Sequence, residues 1–417
     1  MKVNYDLERE IPVLKWEDHL AARTEDMKSS AIRELLKLTQ EPDIISFAGG
    51  LPAPDLFPLR EVEEACVYVL REAGVDAMQY SATEGFPPLK EFLADSMHKY
   101  GIPALPENVL LTNGSQQALD LIGKIFIDPG QYVLTGRPTY LGAIQAWKSY
   151  QGRFHTMRLD DDGMVVDEIE RAYEKAVEDS GKPPAFLYVL PNFHNPAGTT
   201  MPLERRQKLA EMAVKLDLAV VEDDPYGELR YEGEDIPPIS TLIPERTIYL
   251  GTFSKILTPG LRLGWIMCSE SLMSKFVMAK QGSDLHTGTF VQHITNDICQ
   301  RGILKPHIKK LRKVYKERRD TMDEALAEYW PEECRWTLPD GGLFLYARLP
   351  KRIDTEAFLR TRAIREKVAY VPGFHFYPNG DGGTNAMRLN FSYSKPETTV
   401  EGIRRLGIAL KKELALD

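Results

Sequence analysis

Lys255 stands in the run Thr252-Phe253-Ser254-Lys255-Ile256-Leu257-Thr258-Pro259-Gly260-Leu261-Arg262-Leu263-Gly264. An amine flanked by small hydroxyl residues, then a Pro-Gly turn and an arginine, suits a lysine that forms a Schiff base with an aldehyde beside an anchored phosphate. That is the chemistry of pyridoxal phosphate. Such a lysine loses its proton at neutral pH only if it is partly desolvated and near a compensating charge. The competing reading is a solvated lysine beside a turn. The preceding Thr247-Ile248-Tyr249-Leu250-Gly251 reads as a buried strand, which would deliver Lys255 to a strand end, where α/β folds build their sites.

Four further windows each supply a piece of the same site. Thr112-Asn113-Gly114-Ser115-Gln116-Gln117 follows a strand and opens a helix, so its backbone amides and the Ser115 hydroxyl make an anion site for a phosphate; Ser115 as a simple helix cap is the alternative. Val220-Val221-Glu222-Asp223-Asp224-Pro225-Tyr226 ends a strand in acids. A carboxylate there can keep a pyridine nitrogen protonated and make the ring an electron sink, while a tyrosine three residues on reaches the ring's phenolic oxygen. Asp223 and Tyr226 fit those roles, with Glu222 and Asp224 as structural acids. In Asn192-Phe193-His194-Asn195-Pro196-Ala197-Gly198, Asn195 can donate to the phenolate oxygen, and a cis Asn195-Pro196 bond would aim it. His194 is expected to pack, because Lys255 already fills the acid/base role. Tyr140, in Arg137-Pro138-Thr139-Tyr140, can stack on the ring or serve as a core tyrosine. Arg388, a lone charge in the apolar strand Met387-Arg388-Leu389-Asn390, suits an α-carboxylate or a structural ion pair.

These pieces need a scaffold. Short β-rich runs alternate with amphipathic helices from about residue 108 to 270: Val109–Thr112, Tyr132–Leu134, Phe186–Leu190, Leu218–Val221 and Ile248–Leu250 as strands of a covered, mostly parallel sheet, with helices over Gln116–Ile127 and Leu203–Leu216. A helical stretch from about Gln292 to Tyr329 leads to strands at Gly341–Ala347, Ala369–Pro372 and Met387–Ser392 and a closing helix, the pattern of a smaller α+β domain. The expected division is an N-terminal arm and helix over 1–55 packed with the small domain, a large cofactor-binding domain over 56–305, and a small C-terminal domain over 306–417.

With 417 residues, 43% hydrophobic and 27% charged, the chain has the composition of an ordinary globular protein. A net charge of −9 argues against a nucleic-acid surface. The four cysteines form no C-x-x-C pair, which fits reduced thiols, and no metal site is expected. The N-terminus lacks the apolar stretch of a signal peptide and no run reaches membrane-spanning length, so the expected location is the cytoplasm.

Taken together, Asn195-Pro196-x-Gly198, Asp223-x-x-Tyr226, Ser254-Lys255-x-x-x-Pro259-Gly260-x-Arg262-x-Gly264 and the late Arg388 resemble the class I aminotransferases of fold type I, in order and spacing, from about residue 29 to the C-terminus. Within that class, Ile45–Pro52, Gln79–Gly85, Gly114–Asp120 and Ala279–Thr287 are most similar to the 2-aminoadipate/kynurenine aminotransferase group. The resemblance implies an α/β fold whose large domain holds a mostly parallel seven-stranded sheet between helices, beside a smaller α+β domain. It implies a homodimer with shared sites, Tyr80 of one subunit reaching the other's phosphate, and pyridoxal 5'-phosphate cycling with pyridoxamine 5'-phosphate. Ser115, Gln116, Ser254 and Arg262 would hold the phosphate, Tyr140 would stack, Asn195 and Tyr226 would bond the phenolic oxygen and Asp223 the ring nitrogen. Gly50, through its backbone, and Arg388 would take the substrate α-carboxylate, and Arg33 a distal carboxylate. Thr252 replaces the serine of many relatives, and Arg137 alters the charge at the rim.

The implied activity is transfer of an amino group from an amino acid (2-aminoadipate, aromatic or branched-chain) to 2-oxoglutarate. A lyase or decarboxylase on the same fold shares the anchor residues. A non-enzymatic aminotransferase-like regulatory domain normally follows a winged-helix segment, for which a pattern beginning near residue 29 leaves no room.

Overall fold

In the computed structural model, which describes residues 14–27 and 43–415, the central sheet has the spatial order Val109–Thr112, Gly264–Met267, Thr247–Thr252, Val220–Asp223, Leu187–Val189, Tyr132–Arg137, Arg153–Asp160, Gly163–Met164. Five of these strands are the ones expected from the sequence; Gly264–Met267 and Arg153–Asp160 complete the seven that the resemblance implies, and an eighth, the two-residue Gly163–Met164, pairs antiparallel with the end of Arg153–Asp160. Five strands, from Arg153–Asp160 across to Thr247–Thr252, run parallel. Gly264–Met267 runs against both of its neighbours, so Val109–Thr112 points the same way as the parallel set.

The inner strands are apolar because both sheet faces are covered. Every residue of Val109–Thr112, Val220–Asp223, Thr247–Thr252 and Gly264–Met267 is buried. One face packs against the helix Gly114–Phe126 through Ala118, Leu119 and Ile122, and against Trp147 and Phe276. Leu209 and Ala213 of the helix Leu203–Lys215 join Val220 and Leu187 in another cluster.

A second, antiparallel sheet has the order Arg335–Trp336, Phe344–Arg348, Ala386–Asn390, Val371–Pro372. The helices Leu304–Tyr329 and Pro396–Leu414 pack with it through Leu326, Ile403 and Leu406. The expected single helical stretch is two helices, Thr289–Gln300 and Leu304–Tyr329, parted at Gly302, whose φ of +72° breaks the helix. Near the N-terminus, Ile45–Ser46 pairs in parallel with Val368–Ala369, which seats the segment leading to Gly50 against the second sheet. No helix of the described residues is long and apolar enough to cross a membrane.

Candidate active site

Lys255, Asp223, Asn195, Tyr140 and Ser115 each follow or end a different strand, and those strands all point the same way. Their side chains therefore converge at one edge of the sheet, although they are spread over 141 positions of the chain, from 115 to 255.

Lys255 is half-buried, and its Nζ donates to the carbonyl of Gly50 at 2.7 Å. Burial, then the nearby positive charges of Arg388 and Arg262, bring its pKa down to about 8. Ahead of it, the Thr252 hydroxyl lies 3.0 Å from Ser254 Oγ and accepts from the Ser254 N–H at 3.1 Å, which tightens the turn after the strand.

The phosphate-side windows meet at backbone level. Gly114 opens its helix at φ +72°, and a Cβ there would come 2.7 Å from Arg262 Nη2. Arg262 itself is left-handed, at φ +52°, and donates to Asn113 O at 3.2 Å. A Cβ on Gly264 would sit 2.9 Å from Gly114 C, Gly251 O and Ser115 N, so only glycine lets these turns touch. The N-cap residue Asn113 makes no capping bond to the helix Gly114–Phe126 with its side chain. The Asn113 amide instead donates to Asp284 Oδ2 at 2.6 Å, a carboxylate also held by the buried Lys280 at 2.8 Å and by Gln117 at 2.6 Å. The first-turn N–H groups thus stay available to an anion beside Arg262 and Ser115. Gln116 lies on the same turn, but its Nε2 donates to Gly142 O at 3.1 Å and ties the helix to the Tyr140 segment.

The three consecutive acids have three different surroundings. Glu222 accepts from the Ile239 and Ser240 N–H groups at 2.8 Å each. Asp224 accepts from Asn192 Nδ2 at 3.0 Å and the Tyr249 hydroxyl at 3.0 Å. Asp223 accepts from the Tyr188 hydroxyl at 2.7 Å on Oδ2, while its buried Oδ1 has no partner among the described residues. Burial pushes Asp223 up to about 7 against the Tyr188 hydrogen bond, which favours the carboxylate.

Asn195 joins the two sheets. Its Nδ2 lies 3.4 Å from the Tyr226 hydroxyl, and its Oδ1 accepts from Arg388 Nη1 at 2.9 Å. The Asn195-Pro196 bond is cis, as is Arg137-Pro138. Arg388 also donates to Ala48 O at 2.7 Å, lies 4.2 Å over the Phe344 ring and has an Nε without a partner among the described residues. Burial lowers its pKa to about 10. Tyr140 packs over Gly142, where a Cβ would meet its ring at 2.6 Å, and burial followed by the Asp223 charge raises its pKa. His194 is packed: its Nδ1 accepts from Ala197 N at 3.3 Å, and burial depresses it to about 3.

Other expected residues sit apart. Gly50 presents its carbonyl to Lys255, and a carbonyl cannot bind a carboxylate, so any substrate contact falls to its N–H. Tyr80 is 77% exposed and its ring meets that of His286 edge-on, with centroids 5.7 Å apart, so among the described residues of one chain it stands outside the cluster. Arg33 lies outside the described residues. Arg137 pairs with Asp381 at 2.8 Å, and Thr139 N donates to Phe376 O at 2.8 Å, so the rim contacts the second sheet's loop. Sequence reading passed over Tyr188, whose signal was a lone hydroxyl inside an otherwise apolar strand, and Phe344, which looked like any core phenylalanine. No group of three or more His, Cys, Asp or Glu among the described residues could hold a metal ion.

Residues 43–406 match the profile of the family aminotransferase class I and II. The chain is 46% identical to aromatic-amino-acid aminotransferase 1 of Thermococcus litoralis, covering 97% of each chain. It is 44% identical to the 2-aminoadipate transaminase of Thermus thermophilus, over 97% of this chain and 99% of that one. Among solved structures, Pyrococcus horikoshii kynurenine aminotransferase in complex with PMP superposes with a TM-score of 0.91 at 45% identity, over 96% of this chain and 98% of the other.

Proposed function

Because the chain belongs to the class I and II aminotransferases, we propose that it uses pyridoxal phosphate to move the amino group of an aromatic amino acid, 2-aminoadipate or a branched-chain amino acid to 2-oxoglutarate. The observation that carries the cofactor assignment is the Asp223 carboxylate, with one oxygen bonded and the other buried without a partner among the described residues, at the sheet edge that also holds Lys255. An orphaned buried acceptor costs free energy unless a donor arrives, and a protonated pyridine nitrogen is such a donor.

When bound, the cofactor supplies an aldehyde for amine exchange and a ring that takes up the electron pair from the substrate's Cα. The first-turn N–H groups of Gly114–Phe126, that of Gln116 among them, with the Ser115 and Ser254 hydroxyls and Arg262, would hold its phosphate. Tyr140 would pack against the ring, and Asn195 and Tyr226 would donate to the phenolic oxygen. Arg388, together with the Gly50 N–H, binds the α-carboxylate and so fixes the orientation of Cα. Lys255 Nζ, neutral in part near pH 8, takes the proton from that Cα. One pocket serves both substrates in turn, so the first product leaves before the second substrate enters, and the kinetics are ping-pong.

The same reading assigns the cofactor to a large unit over 56–305 and the carboxylate-binding Arg388 to a small one over 306–417, with an N-terminal arm over 1–55, much of which lies outside the described residues. It also makes the protein a homodimer, Tyr80 reaching the partner's phosphate. Leu59, Val67, Leu70, Val75, Met78 and Tyr80 are all exposed within one stretch, and apolar surface of that kind is what such a contact would bury. The deciding experiment adds a single amino acid, without any 2-oxo acid, to the cofactor-loaded protein. Stoichiometric pyridoxamine phosphate and a 2-oxo acid are expected. Carbon dioxide or ammonia in their place would make the protein a decarboxylase or lyase.

A further inference from the structure

We propose that Tyr188 is a positioning residue for Asp223: its hydroxyl fixes one carboxylate oxygen and leaves the other as the acceptor for the cofactor's ring nitrogen. The inference rests on the pyridoxal phosphate reading above and adds a residue to it.

The relationship is built into the sheet. Tyr188 is paired in register with Val221, and Asp223 lies two residues further along that strand, on the same face. The tyrosine therefore stands beside the carboxylate without any loop intervening, its hydroxyl 2.7 Å from Oδ2. Its ring is fully buried and held edge-on by Trp147, with centroids 4.8 Å apart. Trp147 is anchored in turn by an indole N–H bond to Leu119 O at 3.0 Å. With ring and hydroxyl both confined, the carboxylate has one orientation that satisfies Oδ2, and that orientation leaves Oδ1 open.

The chemistry of the donor matters as much as its place. Burial first, then the neighbouring Asp223 charge, push the Tyr188 phenol well above its ordinary range, so it keeps its proton and acts only as a donor to the carboxylate. A lysine or arginine at this place would neutralise Asp223 as an ion pair and compete with the pyridinium for it. A neutral hydroxyl favours the ionised carboxylate yet leaves its full charge to the ring. The contribution is specific to a cofactor with a protonated ring nitrogen, which separates it from mere support of the fold.

The test compares dissociation constants of the full-length protein, freed of cofactor, for pyridoxal phosphate and for its 1-deaza analogue, which has carbon in place of the ring nitrogen. Wild type should prefer pyridoxal phosphate, and Tyr188→Phe should cut that preference by about tenfold while binding the analogue as wild type does. An unchanged preference, including equal weakening of both ligands, would reduce Tyr188 to a packing role and overturn the proposal. Should Tyr188→Phe not fold, the proton spectrum of the wild type replaces it. A hydroxyl resonance that vanishes in Asp223→Asn should shift with pyridoxal phosphate and stay in place with the analogue, and equal behaviour with both ligands would overturn the proposal. Failure of wild type to bind pyridoxal phosphate at all would instead remove the cofactor reading, and this inference with it.

Discussion

Arg388 Nη1 lies 2.9 Å from Asn195 Oδ1, a bond between residues 193 positions apart that joins the centre of the small antiparallel sheet to the cofactor-side edge of the large one. The same guanidinium spends its Nη2 on Ala48 O and rests on Phe344. Lysine offers one charged point in place of this planar fork, so Arg388→Lys should lower kcat/KM for amino acids by roughly 100-fold, about 2.7 kcal/mol. The absorbance of the bound cofactor should be unchanged. Steady-state kinetics beside a cofactor spectrum check this, and an equal loss of cofactor would mean that Arg388 serves the cofactor, not the substrate.

Lys255 yields a pH dependence. Its pKa is lowered to about 8 by burial and by Arg388 and Arg262, and only its neutral amine attacks an aldehyde. Covalent capture of pyridoxal phosphate by the cofactor-free protein should therefore accelerate as pH rises and level off above about 8. A solvated lysine would keep accelerating towards 10. Rates of spectral change across that range distinguish the two, and Lys255→Ala should show no capture and no turnover.

Gly264 is a place where one methyl group should be felt at a distance. Its Cβ would meet backbone atoms of Gly114, Ser115 and Gly251 at 2.9 Å, and backbone cannot rotate away as a flexible side chain can. Gly264→Ala should cost about 1–3 kcal/mol of stability and weaken binding of the phosphorylated cofactor more than that of pyridoxal, which lacks the phosphate. Thermal melting and the two dissociation constants test it.

Arg33→Ala should reduce kcat/KM more for 2-aminoadipate and glutamate than for leucine and phenylalanine, because only the first two carry a distal carboxylate. Equal losses across the four would leave Arg33 without a part in substrate choice.

How much of this was legible before any coordinates depends on where each residue sits. Strand-end residues such as Lys255, Asp223 and Asn195 announce themselves, because apolar β-rich runs of parallel strands end abruptly in polar motifs. The strand Arg153–Asp160 is not legible in the sequence because the exposed Arg153 and Arg158 and the half-buried His155 interrupt its apolar run. Tyr188 could be placed in a strand but not beside Asp223, since that contact depends on which strands are neighbours and in what register. Tyr80 was singled out by family likeness, and a single chain leaves it facing outward.

The run Glu222-Asp223-Asp224 divides its labour by bonding. The outer two carboxylates are saturated by Ile239 and Ser240 on one side and by Asn192 and Tyr249 on the other, while the middle one keeps an oxygen in reserve. Adjacent residues of like chemistry thus have separate tasks. Substitution at 222 or 224 should be felt as yield, in protein that fails to accumulate, whereas substitution at 223 should be felt as colour, in protein that accumulates without its cofactor. A library randomised over these three codons and sorted on both properties would pull one acidic run apart into two inheritances.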